Sequence, residues 1–261
     1  MISTINKYYN HVNFFTLISL LAIAVNFIFD FSNSNTIINV FAFTLIATLG
    51  ITHGSYDIKK GQMITKFFNF KSIKLFLILY ILVALSIMTS WYILPNITLI
   101  IFLLISVYHF GNEEFEFFNI NTNFIISIFR GLMIIIAPLI LHFEQTLYIF
   151  QSISLNINDK LIYFMSDNYT LLFTFASINV LFSLFTINNI RNRFILLLDL
   201  LTLILINTIF EPFFAFSLYF CFLHSKRNIS KIRKYFMSLN STNFGSVNLI
   251  SIITFILFFI S

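Results

Sequence analysis

Three histidines, His53, His109 and His224, each end an uncharged apolar run, and each has a polar residue four positions later: Asp57, Glu113 and Asn228. Imidazoles carried to one depth by separate helices can share a metal ion, and nitrogen donors suit iron, zinc or copper. In Gly50-Ile51-Thr52-His53-Gly54-Ser55-Tyr56-Asp57, the i, i+4 spacing puts His53 and Asp57 on one helical face. A carboxylate there can accept the second N–H of a metal-bound ring and fix its orientation. In Tyr108-His109-Phe110-Gly111-Asn112-Glu113-Glu114, Glu113 or Glu114 can play the same supporting part. In Tyr219-Phe220-Cys221-Phe222-Leu223-His224-Ser225-Lys226-Arg227-Asn228, a histidine at 228 would have completed a two-imidazole face. Asn228 offers an amide carbonyl instead, a donor suited to hard cations and poorer on iron. Asp199 lies inside an apolar run at a depth close to the three histidines. A buried acid in such a run marks a functional site until a partner is named.

For each motif there is also a plain structural reading. A lone histidine at the end of an apolar helix is most often an interfacial side chain, and the acids after His109 can simply pair with basic loops. The common level of three imidazoles raises the metal reading above that.

The elements that position these residues follow from composition. The 261 residues are 59% hydrophobic and 10% charged, with a mean hydropathy of +0.92. Soluble chains carry about a quarter charged residues, so long uncharged stretches here read as membrane-spanning helices. The net charge of +5 is not a nucleic-acid signal, because its placement fits membrane topology. The single Cys221 excludes an intramolecular disulfide and a thiolate-rich metal site. The 37 phenylalanines are first of all lipid-facing filler.

Nine spans are expected, at roughly 14–31, 36–53, 74–94, 96–110, 124–142, 169–187, 194–210, 212–224 and 246–261, with an interfacial helix near 145–154. The first run lacks a small-residue cleavage site and reads as a retained helix. Of the 15 basic residues, all but Lys160 fall on one side of this alternating arrangement. Under the positive-inside rule that side is cytoplasmic, with the N-terminus, His53, His109 and His224 on it. The fold class expected is an all-α, polytopic membrane protein of about eight to nine helices in one domain over 1–261, with the metal site at the cytoplasmic ends of several helices.

The stretches at Gly50–Asp57, Tyr108–Gly111 and Tyr219–Arg227, together with Glu211-Pro212 and Arg130-Gly131 through Pro138 to His142, resemble the Brp/Blh family of membrane β-carotene 15,15′-dioxygenases. The resemblance covers a core of about 36–235. It implies cleavage of the central double bond of β-carotene by O2 to retinal, in the bacterial inner membrane, for delivery to a rhodopsin. It implies a non-haem iron (Fe2+) held by His53, His109 and His224, with Asn228 standing where the family pattern has a fourth histidine. Glu114 stands where that pattern usually has aspartate. Two rivals remain at this stage: a carotenoid- or retinal-binding or rhodopsin-assembly protein that has lost the iron chemistry, and a small transporter. Polar residues gathered at one face, rather than near the midplane, argue against the transporter.

Overall fold

A computed structural model describes residues 2–29, 35–50, 73–117, 124–153 and 189–230, with single positions 61, 65, 170, 173, 174, 177, 181 and 185 between them. All regular structure among the described residues is helical. In chain order these are α1 (Ile2–Phe29), α2 (Asn35–Leu45) running into a π turn (Ile46–Gly50), α3 (Ile73–Ile93), α4 (Pro95–Phe117), α5 (Phe124–Leu141), α6 (Phe143–Ile153), α7 (Ile190–Ile209) and α8 (Pro212–Tyr219). A second π turn, Phe220–His224, continues α8, and residues 225–230 are helical. Pro95 and Pro212 open α4 and α8, where a proline's missing N–H leaves no bond unmade.

Four of these helices are long and apolar enough to cross a membrane: His11–Phe29, Lys74–Ile93, Pro95–Phe115 and Ile190–Ile209. A fifth crossing is formed only if α5 and α6 count as one broken span, bent by 114°. Of the eight to nine crossings expected for the whole chain, four or five are found among the described residues. The reasons are local. The expected span at 36–53 is a helix of only 14 residues, Thr36–Leu49, before residues outside the description. The one at 124–142 ends at the sharp bend beside His142, after Pro138. The one at 212–224 is eight α-helical residues and a π turn, continued by a polar helical stretch to residue 230. None of the three meets the length and hydropathy of a crossing by itself among the described residues. The expected spans 169–187, apart from single helical positions, and 246–261 lie outside the described residues. The stretch near 145–154, expected as an interfacial helix, is helical as α6.

Helices inside a bilayer gain little from the hydrophobic effect against each other, so close packing and polar contacts hold them. Both are visible. At the α4–α5 crossing, a Cβ added to Gly111 would overlap the Ser127 carbonyl oxygen, and one added to Gly131 would overlap that of Val107. The two glycines let the backbones touch. On α1, Thr16 Oγ1 lies 2.9 Å from Thr202 Oγ1 on α7. The core gathers Val12 and Phe15 of α1, Met133 of α5, Leu196, Leu200 and Leu203 of α7, and Leu218 and Leu223 of α8 and its π turn. By contrast α3 exposes almost its whole length, including Ile78, Ile81, Val83 and Met88, as a lipid-facing helix would.

Candidate metal centre

The π turn decides where His224 points. A π turn inserts an extra residue into the helix and re-aims the side chains beyond it, and such turns recur at functional sites. Here it places the buried His224 ring against α4. Its centroid is 4.7 Å from Phe110, edge-on, and 5.3 Å from His109. The Phe220 ring stacks on His224 at 5.3 Å, and Phe216 stacks on Phe220 at 5.5 Å. Rings one turn apart on α8 thus form an aromatic column that ends in the imidazole.

On α4, His109 and Glu113 are four residues apart and share a face. The side-chain donor atoms of His109, Glu113 and His224 all lie within 4.8 Å of one another. His109 is exposed, while Glu113 and His224 are buried. Glu113 Oε2 is 2.5 Å from His224 Nδ1. The two groups form a buried ion pair, and the other carboxylate oxygen, Oε1, has no hydrogen-bond partner. Burying a carboxylate oxygen without a donor is costly, and a cation among these three groups would remove the cost. Two imidazoles and one carboxylate are also the donor set of many non-haem ferrous oxygenases. Donors ~2.1 Å from a shared ion lie within roughly 4.2 Å of one another, so modest side-chain movement closes the site. The residues present fit a divalent transition metal.

Behind the cluster runs a buried ion-pair chain. Arg130 on α5 bonds Glu114 on α4 through Nε, and through Nη2 at 2.7 Å. The same Nη2 lies 3.4 Å from Asp199 Oδ2 on α7. Arg227, one turn past the π turn, donates from Nη2 to that Oδ2 at 2.9 Å. Two acids and two guanidinium groups thus cancel in charge and tie α4, α5, α7 and the end of α8 together. All four side chains are buried.

The structure therefore brings together His109, His224 and Glu113, and sets Glu114 and Asp199 behind them as anchors. Asn228 is buried one turn after His224. His53 and Asp57 lie outside the described residues. Sequence reasoning treats Arg130 and Arg227 as topology markers and misses their pairing. A signal is present: an arginine inside an apolar run needs an acid at its own depth, and Glu114 and Asp199 are the acids at hand. On the α1–α2 side of α8, away from α4, an apolar cavity of about 470 Å³ is lined by Phe214, Leu218 and Phe222 of the α8 segment, with Phe41 and Leu45 of α2.

Residues 44–260 match the family described as beta-carotene 15,15′-dioxygenase. A curated protein of that name from the uncultured marine bacterium 66A03 is 30% identical over 203 residues, covering 77% of this chain and 71% of its own length. No solved structure matches. The matched region contains all three histidine motifs and both partners of the arginine chain, and the chain belongs to the β-carotene 15,15′-dioxygenase family.

Proposed function

We propose that the chain cleaves the central double bond of β-carotene with O2 at a non-haem ferrous iron, one oxygen atom going to each carbon, to give two molecules of retinal. The observation that carries this reading is the convergence of His109 and His224, from helices far apart in sequence, on the buried Glu113. Family membership supplies the substrate class. Iron, when bound, would supply the O2 chemistry that a closed-shell polyene otherwise resists.

The chain's own residues do the rest. His109 and His224 would hold the metal, with His53 as the third imidazole and Asn228 as a further oxygen donor. Asp57 would orient His53. Glu114 and Asp199 act through Arg130 and Arg227, which fix the packing of α4, α5 and α7 around the site. Phe110, Phe216 and Phe220 wall the cluster with aromatic rings that exclude water and accept a flat hydrocarbon. Phe216 and His109 are exposed, so the substrate can arrive sideways from the bilayer in which it dissolves. Basic residues outside the ion-pair chain, including Lys7, Lys59, Lys60 and Lys231, argue for a cytoplasmic N-terminus in the cell membrane.

Asn228 favours a second reading, a family member that binds carotenoid or retinal without cleaving it. Expression in a β-carotene-accumulating bacterial host, followed by chromatography of the extracted pigments, separates the two. The first reading expects retinal from the wild-type chain and none from His109→Ala or His224→Ala. Retained carotene with no retinal would support the second reading.

A further inference from the structure

We infer that the apolar cavity between α1, α2 and α8 is a second ligand site, which holds one retinoid chain away from the metal. This rests on the proposed cleavage, which supplies a retinoid as its product. The two faces of α8 keep the sites apart. Phe216, Phe220 and His224 recur every four residues on the side that meets α4. Phe214, Leu218 and Phe222 recur with the same spacing on the side that lines the cavity. An offset of two residues is about 200° round a helix of 3.6 residues per turn.

Size, shape and lining select the occupant. Helices pack with few voids larger than a water molecule, so an opening of about 470 Å³ has room for a ligand. Benzene fills an apolar cavity of about 150 Å³, and by that measure this one holds roughly nineteen carbon atoms. That matches one retinoid and is about half of a carotenoid. The walls run from Ile18 to Asn26 on α1 and from Phe214 to Phe222 along α8 and its π turn, each roughly 12 Å long at 1.5 Å per residue. The mean cross-section is therefore about 40 Å², wider than one extended alkyl chain and suited to a substituted ring with a methyl-branched polyene. The aromatic lining points the same way. Phe210 meets Phe214 edge-on at 4.8 Å, and Phe41 lies 6.1 Å from Phe214, so flat conjugated carbon finds ring faces and edges to pack on. Leu21, Val25, Ile37 and Phe41 line the cavity and are exposed, which opens it sideways to the bilayer where a retinoid dissolves.

The test is binding of all-trans-retinal to the full, iron-free chain in phosphatidylcholine nanodiscs, read as circular dichroism induced in the retinal absorption band. Empty nanodiscs supply the blank. Wild type is expected to bind retinal saturably. Ala22 lines the cavity, and Ala22→Phe fills about a third of it with a ring of benzene's size. Binding should weaken by about tenfold or more, or about 1.4 kcal/mol. No binding by wild type, or an unchanged affinity in Ala22→Phe, overturns the proposal. Displacement of retinal by oleic acid at equal or lower concentration also overturns it, by assigning the cavity to a lipid chain. If Ala22→Phe does not fold, a diazirine analogue of retinal is photocrosslinked to wild type and the labelled peptides are mapped by mass spectrometry. Labels on the lining residues of α1, α2 and α8 are expected, and labels confined to other segments overturn the proposal. Retinal formed by a chain that fails these binding tests would leave the proposed function standing and remove only this site. Retinal bound in the cavity of a chain that does not form it would do the reverse.

Discussion

Replacing Asp199 with asparagine keeps the side chain's shape and removes one charge from the centre of the ion-pair chain. Asp199 Oδ2 sits 2.9 Å from Arg227 and 3.4 Å from Arg130, and all three side chains are buried. At such separations an ion pair is worth about 4 kcal/mol with an effective dielectric near 20. Two attractions go, and the repulsion between the guanidinium groups loses its screen. Asparagine can still accept one hydrogen bond, so the expected loss is at the low end of the ~3–5 kcal/mol typical of breaking a buried pair. Against a total stability of about 5–15 kcal/mol, that is a large share. A loss of about 3 kcal/mol corresponds to a fall in Tm of about 6–12 °C for a chain of this size. The assay is thermal unfolding of the purified protein in mild detergent. Asp199→Asn combined with Arg227→Gln removes one charge of each sign and should recover at least half of the lost Tm. A fall below about 2 °C for the single variant, or a double variant no more stable than the single, would refute the charge-cancelled network.

Further expectations concern the helix crossing and the ligand set. Gly131→Ala puts a methyl group into the Val107 carbonyl and should cost about 1–3 kcal/mol through overpacking, read as reduced accumulation of folded protein in membranes. Serine at the same position should be at least as damaging. His53→Ala, His109→Ala and His224→Ala should each abolish retinal formation while membrane insertion, followed by fractionation, stays at the wild-type level. Activity in any one of them removes that residue from the ligand set. Asn228→His offers another imidazole one turn beyond His224 and should leave the iron affinity of wild type equal or raised. A drop of about tenfold or more, the scale of a lost supporting contact, would show that position 228 cannot face the metal.

The parts of this molecule that are legible in its sequence are those set by local composition. Apolar runs bounded by Pro95 and Pro212 announce α3, α4, α7 and α8, and the apolar run from Phe14 announces most of α1. An apolar run is not yet a crossing. The break at His142 is legible as the end of the run 124–142, but the 114° bend that turns α6 away from α5 is not, and the run after Pro212 is short. The histidine level at His109 and His224 is legible from depth alone. The role of Glu113 is not, since spacing permits both ligand and support, and its contact with His224 is set by the packing of α4 against the π turn. Arg130 and Arg227 are misread for a related reason. A charge's sign and position in the chain predict topology, but its partner, 16 or 69 residues away for Arg130, is set by tertiary packing.

The central claim is carotene cleavage by this chain. It is tested most directly with iron-loaded, detergent-purified protein given β-carotene and a measured quantity of O2, with oxygen uptake and retinal followed together. The account predicts two retinal molecules for each O2 consumed, with no product from His224→Ala. Carotene that stays bound and intact in the presence of iron and O2 would contradict it.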